Sequence, residues 1–364
     1  MSRRTRFKMA WFLAVVAMPG LVASHPAPGA VQYSVAELGA LRGGSSIARG
    51  LSPSGHVAGG SGYSHGTDAR AFLWTSAGRM QSLGALPGGD DSGALGVNHN
   101  GQVVGFANTA TSVRAFLWTR SAGMRDLGTL TGDQSSTAFA INDAGEIVGY
   151  SSGPRGVRAV LWMRSGQIQN LGTLPGGDSS EAYAINNLGQ VVGRSSSATG
   201  THAFLWTAGG GMQDLGTLPG DTASTALAIN DAGQVVGFSD GPNGMRAFFW
   251  TRESGMQILG GLAGSRFNQA TAINNRGQVV GSSGSVLGTR AFLWTSAGGI
   301  QDLNALIPAG TNILLTGALA INDAGQILAY GHFEDELATD RQVDINHERH
   351  PGTYHVFLLA PAAP

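Results

Sequence analysis

The chain of 364 residues contains no cysteine. That excludes a disulfide framework, thiol chemistry and lipid attachment at a cysteine. Charged residues make up 12%, and the formal net charge is −1. No basic field is available for nucleic acid or an anionic membrane, so neither is an expected partner. No segment repeats its apolar residues at helical spacing. No His-Glu-x-x-His pair, phosphate loop or dinucleotide fingerprint occurs, and no cofactor or metal is expected. What the chain has in excess is glycine, 57 residues with no period of three. Glycine among many Val, Ile, Phe and Trp residues points to short strands joined by tight turns.

The first residues read as an address. Arg3, Arg4, Arg6 and Lys8 precede the apolar stretch MAWFLAVVAMPGLV (9–22), and VAS (22–24) places small residues before a cleavage point. This is the pattern of a secretory signal peptide over residues 1–24, with a short linker at 25–30. As a membrane anchor the stretch is too short, and Pro19 and Gly20 break it. The expectation is an exported protein, extracellular or periplasmic, with no membrane span after cleavage. An exported domain without disulfides has to be held by its core, which a chain of this length can build.

Three landmarks then recur. Trp74, Trp118, Trp162, Trp206, Trp250 and Trp294 stand 44 residues apart, each ending a strand such as RAFLW (114–118) or HAFLW (202–206). A seventh copy without Trp is HVFLL (355–359). Leu-Gly-x-Leu, as in LGTL (127–130), and AINDAGQVVG (228–237) also recur, with looser copies at GVNHNGQVVG (96–105) and GLSPSGHVAG (50–59). A period of this length marks an array or a propeller. One period holds four strand-like runs: STALAIN (224–230), QVVGFS (234–239), RAFFWT (246–251) and GMQILG (255–260). Four antiparallel strands per period make a propeller blade, so the expected fold is an all-β, seven-bladed β-propeller over 31–360, with a tail at 361–364.

The chain enters the repeat out of phase. It starts with a fourth-strand run, VQYSVAELG (31–39), and ends with a third-strand run, TYHVFLLA (353–360). Pairing the two completes the seventh blade and removes two open sheet edges.

The polar words of the repeat have structural readings. In NDAG, Asn caps a turn and Gly takes the left-handed conformation, while the two central residues vary as solvent-facing positions do. A cation site in every blade would need a carboxylate at each copy, and three of the seven have one. In RAFLW both strand faces are apolar, so Trp is a packing unit between blades. The preceding Arg or His is a donor to the Asp of the nearby loops (Asp90, Asp133, Asp178, Asp221). GYSSG (149–153), GFSDG (237–241) and GYSHG (62–66) match the Gly-x-Ser-x-Gly nucleophile pattern, but no helix follows any of them, as the elbow requires.

With HAFLW, DLGTLPG (214–220) and AINDAGQVVG, the chain resembles the family of extracellular repeats named for His-Ala-Phe. The resemblance covers about residues 31–360. It implies export, a bacterial source and this architecture, and it implies no particular activity.

One segment departs from the repeat, 332–353 within the last copy. It gathers acids and histidines, and Asp335, Asp340, Asp344, His347 and His350 are the candidate binding residues. His347 and His350 can share a metal only if the segment is helical there. A solvated loop is the simpler reading. The expected function is a monomeric, non-catalytic binding scaffold for an extracellular glycan or protein. The alternatives are a carbohydrate-active hydrolase or lyase using carboxylates of one face, and a structural cell-surface protein. Long surface loops add little closure entropy. Replacing residues 333–352 by a short Gly-Ser linker is therefore expected to leave the melting transition near that of the parent, as followed by circular dichroism.

Overall fold

A computed structural model describes residues 32–41, 46–62, 69–77, 79–286, 288–339 and 354–362. The signal-peptide and linker readings (1–24 and 25–30) lie outside the described residues. Twenty-eight strands form seven antiparallel sheets of four. The fold is the expected seven-bladed β-propeller. Blades 1 to 6 span 46–82, 92–126, 135–172, 180–214, 223–258 and 267–302. Each contributes strands A to D in chain order. In blade 5 these are Ala223–Ile229, Val235–Asp240, Arg246–Thr251 and Gly255–Ile258. The A strands of successive blades touch all the way round, blade 7 against blade 1 included, so A is innermost and D outermost.

Blade 7 is built from both ends of the chain. Its A, B and C strands are Ile313–Ile321, Ile327–Phe333 and His355–Pro361, and its D strand is Tyr33–Glu37. The pairing runs from Tyr33 opposite Pro361 to Glu37 opposite Phe357. Tyr33 is buried against the end of blade 6, and its amide donates to the Leu306 carbonyl at 2.8 Å. The last strand thus reaches one residue into the expected tail. The insertion also starts later than its sequence suggests, since His332 and Phe333 belong to the B strand and a short helix, Glu334–Thr339, follows.

Blades pack through the C strands. Phe72, Phe116, Phe204, Phe248 and Phe292 and their preceding alanines are fully buried. Trp118 packs with Ala58, Ala71 and Leu73 of blade 1, and Trp206 with Val148, Ala159 and Leu161 of blade 3. Each Trp therefore seals the space to the preceding blade, and the expected packing role holds. Trp74 and Trp294 do the same half-buried.

Each A strand carries a bulge, between Ala138 and Ala140 in blade 3 and between Ala226 and Ala228 in blade 5. The third residue of each Val-Val-Gly run explains how the sheet accommodates it. A Cβ at Gly149 would lie 1.9 Å from the Thr137 carbonyl oxygen, and one at Gly237 would lie 2.0 Å from that of Thr225. In blades 1 to 6 the bulged A strand approaches its B strand this closely over glycine, whereas blade 7 has Ala329 there and a second bulge in its A strand.

A serine on each of four A strands fastens its blade to the one before. Ser136 Oγ accepts from Ala115 N at 3.0 Å and donates to Gly128 O at 2.9 Å. Ser92, Ser180 and Ser224 repeat the arrangement.

Deleting residues 31–39 removes one strand of twenty-eight, yet it opens the ring and exposes both flanking edges. The expected cost is at least about 3 kcal/mol, the scale of one large buried side chain. A truncated chain that melts like the parent in a thermal scan would show that the ring does not depend on this strand.

Candidate functional site

The NDAG turns meet around the propeller axis, where they form two concentric polar rings. Asn230 shows the inner one. Its Oδ1 accepts from Gln234 N at 3.0 Å, closing its own turn, with Gly233 at φ 74°. Its Nδ2 donates to Gln234 Oε1 at 2.7 Å and to the Asn274 carbonyl of the next blade at 3.0 Å. The same step links Asn98 to Asn142, Asn142 to Asn186, Asn186 to Asn230, Asn274 to Asn322 and Asn322 to Ser52 of blade 1. These Asn side chains are 2–5% exposed. They are structural, as the turn reading requires, and they also tie the blades together.

The second turn residue forms the outer ring; it is exposed at His99, Asp143, Asn187 and Asn275, as a solvent-facing turn position should be, and it also bonds from blade to blade. His99 N donates to Asp143 Oδ1, Asp143 N to Asn187 Oδ1, Asn187 N to Asp231 Oδ1, Asp231 N to Asn275 Oδ1 and Asn275 N to Asp323 Oδ1, all at 2.8–3.0 Å. The Asn187 and Asn275 amides bridge to Asp231 Oδ2, both at 3.2 Å, and Asn275 reaches Asp323 Oδ2 at 2.9 Å. The chain of bonds stops at blade 1, where Pro53 has no side-chain acceptor. Inside the rings lies an axial pocket of about 220 Å³. One aliphatic residue per blade lines it: Leu51, Val97, Ile141, Ile185, Ile229, Ile273 and Ile321.

The opposite end carries the D-to-A and B-to-C loops. The short helix of the insertion is there, since Asn312 Nδ2 donates to Asp335 Oδ1 at 2.8 Å and Glu334 N to Asn312 O at 3.0 Å. The loop carboxylates do not converge on a shared ligand site. Asp90 accepts from Asn108 Nδ2 at 2.6 Å, Asp133 from Ser151 Oγ at 2.7 Å and Asp178 from Ser196 Oγ at 3.0 Å. Asp221 pairs with Arg246 at 2.7 Å. They pin loops to their own blades. The Arg-or-His donor expectation holds with a loop carboxylate for Arg246. At three other copies the partner is an acid of the D strand: Asp214 for His202 at 2.8 Å, Asp302 for Arg290 at 4.0 Å and Glu37 for His355 at 2.7 Å. Arg70, Arg114 and Arg158 donate instead to carbonyl or hydroxyl oxygens.

The serines of the nucleophile pattern are structural. Ser151 and Ser239 are fully buried, and their Oγ atoms accept from Leu130 N and Leu218 N at 3.0 Å. Ser195 and Ser283 do the same without the pattern. Ser64 lies outside the described residues, as do Asp340, Asp344, His347 and His350. Asp335 is exposed in the first turn of the short helix. Among the described residues no group of three His, Asp or Glu is placed to hold a metal ion.

Sequence reasoning expected symmetry to break only in the last copy. The A-strand bulge breaks it in every blade. Its neighbours on either side face the adjoining blades, Ala138 toward blade 2 and Ala140 toward blade 4, which leaves the bulged residue at the axial edge. That residue is Arg49, Leu95, Phe139, Tyr183, Leu227, Thr271 or Leu319. The signal was present as the one variable letter inside a repeated word, A-x-A-I-N.

Blades 3 and 4 carry the most elaborate of these positions. The Phe139 and Tyr183 rings meet edge-to-face at 5.1 Å. Arg194 lies over the Tyr183 ring at 5.8 Å and pairs with Glu181 at 3.0 Å. The Tyr183 hydroxyl donates to Glu181 Oε2. Burial, reinforced by the Glu181 charge, pushes the Tyr183 phenol far up, so it stays a donor.

Solved structures share this fold. A streptogramin B lyase matches with a TM-score of 0.55 at 13% identity, over 90% of this chain and 97% of its own. The virginiamycin B lyase of Staphylococcus aureus matches at 0.54 and 12%, over 90% and 99%. The β-propeller domain of the trilobed protease of Pyrococcus furiosus, which has an open velcro topology, matches at 0.54 and 9%, over 86% and 93%. Identities this low establish the fold alone. No family model and no curated protein matches the chain.

The inner and outer rings differ in what they hold. Asn230→Ala strips a buried carbonyl, a backbone amide and Gln234 of their partner, and is expected to cost about 1–3 kcal/mol. Asp231→Ala, nearer solvent, is expected to cost less than about 1 kcal/mol. Urea denaturation of the two variants measures the difference.

Proposed function

We propose that this protein is an exported, monomeric binding scaffold that recognises an extracellular glycan or protein without catalysis. The observation that carries the reading is the distribution of difference among the blades. Residues that hold the ring repeat from blade to blade, whereas those at the bulge change, and the changes gather around the axis. Phe139, Tyr183 and Arg194 supply aromatic faces and a guanidinium, the chemistry that stacks on sugar rings or on side chains of a partner. The N-terminal segment and the repeat pattern support export.

The alternative of a carbohydrate-active hydrolase or lyase is less well supported. Hydrolysis at a glycosidic bond uses two free carboxylates facing one bond, and the loop carboxylates are each bonded within their own blade region. A purely structural surface role would give the bulge position no reason to vary.

A glycan and protein array probed with the chain from residue 25 onward is the direct test. A specific ligand is expected, with affinity reduced at least about tenfold by Tyr183→Ala or Arg194→Ala, the range for anchoring aromatic and arginine residues. Turnover of a glycan, or binding indifferent to both substitutions, would reject this reading.

A further inference from the structure

Charge is nearly absent from the inner half of every blade. Across the A and B strands of all seven, the Asp, Glu, Lys and Arg residues are Arg49, Glu181, Arg194 and Asp240. Asp240 ends its B strand beside the B-to-C loop. The other three lie at the level of the bulge. Arg49 is the exposed bulge residue of blade 1. Glu181 and Arg194 are opposite one another in blade 4, next to its bulge at Tyr183.

The carboxylate of this group is engaged within the protein. Glu181 Oε1 accepts from Arg194 at 3.0 Å, and Oε2 accepts from the Tyr183 hydroxyl. Arg194 keeps most of its capacity. A guanidinium carries several N–H donors in a planar fork, and among the described residues the hydrogen bond of Arg194 is the one to Glu181. Its side chain is 45% exposed. Each of the two arginines is set beside a tyrosine. Arg194 lies over the Tyr183 ring, 5.8 Å from its centroid. Arg49 stands near Tyr330 of blade 7: burial pushes that phenol up, Tyr354 adds to the rise, and the Arg49 charge opposes it. Blades 1 and 4 are three steps apart in a ring of seven, so the two arginine–tyrosine units stand on opposite sides of the axis.

We propose that this surface selects an anionic glycan, a chain of sugar rings that bear carboxylates. The proposal rests on the binding reading above and names its ligand class. A sugar ring lies against an aromatic face, and a carboxylate takes two parallel N–H bonds from a guanidinium. Two arginines across the axis from one another call for more than one carboxylate on the same ligand, as a repeating uronic acid supplies. A neutral glycan leaves the guanidinium donors unused, and a cation meets the wrong charge. An acidic protein fits less well. The centre of a protein interface is apolar, and of the large apolar side chains that stand exposed among the described residues, only Ile47 is on an A or B strand.

The experiment is calorimetric titration of the protein with tetragalacturonate, with its neutral methyl ester and with poly-L-glutamate. Saturable binding of the acid is expected, at least about tenfold tighter than the ester or the polypeptide and weakened by added salt, because the charge contribution is screened. Arg49→Gln and Arg194→Gln are each expected to lose at least about tenfold in affinity for the acid, the scale of one charge-assisted hydrogen bond. Arg252→Gln removes the same charge from the exposed C-to-D turn of blade 5 and is expected to leave the affinity unchanged. Thermal melting confirms that each variant is folded, and if Arg194→Gln does not fold, Arg49→Gln decides alone. Ester binding as tight as that of the acid, still weakened by Tyr183→Ala, would overturn the ligand class and leave the binding reading standing. Equal or tighter binding of poly-L-glutamate would overturn it in favour of an acidic protein. No binding of the acid, affinity unchanged in Arg49→Gln or in a folded Arg194→Gln, or an equal loss in Arg252→Gln would also overturn the proposal. The array on the parent protein and its Tyr183 variant tests the broader reading separately.

Discussion

The ring depends on one small interaction, the hydrogen bond from an Asn side chain to the carbonyl of the corresponding residue one blade on. A blade of four short strands cannot bury both of its faces alone. Seven of them have to be held at a fixed rotation with no covalent cross-link. The Asn amide does this because it is bound at both ends. Its oxygen closes its own turn, and its nitrogen reaches Gln or Glu within the turn as well as the next blade. Turn geometry and blade spacing are thus set by the same buried group. At the other end of the A strands, serines fasten four of the blades to their predecessors.

Much of this was legible in the sequence. The 44-residue spacing of Trp118, Trp162 and Trp206 can be read because each fills the same volume between blades, and a filled volume tolerates little substitution. The closing strand was legible because a ring must return to its starting phase, and the chain starts and ends at different points of the repeat. The Ser151 and Ser239 matches could be set aside because their place in the repeat required an explanation shared with other blades.

What the sequence hid depends on where the axis lies. Asp231 sits in a turn, and turn residues face solvent unless several turns meet, which only the closed ring decides. Asp133 and Asp178 look available because their partners, Ser151 and Ser196, lie eighteen residues away and become neighbours only when the A and B strands pair. Arg290 and His202 look like partners for those loops, yet strand pairing puts a D-strand acid nearer. The bulge was hardest to see. Alternation along ALAIN would place residue 227 on a blade face, and the extra residue instead rotates it to the axis.

These hidden positions differ in chemistry. The bulge holds an arginine in blade 1, aromatic rings in blades 3 and 4, and Leu or Thr in the others. The turns hold Asp or Asn at their second position from blade 3 to blade 7. A strictly repeated propeller would have like charge at every copy of a ring position, and seven carboxylates around one axis would repel one another strongly. Alternating Asp with Asn from blade 3 to blade 7 avoids this: the Asn187 amide donates to Asp231, and the Asn275 amide to Asp231 and Asp323. Pro53 and His99 then interrupt the ring on the remaining side. Departures from the repeat at these turns therefore serve the ring's own electrostatics.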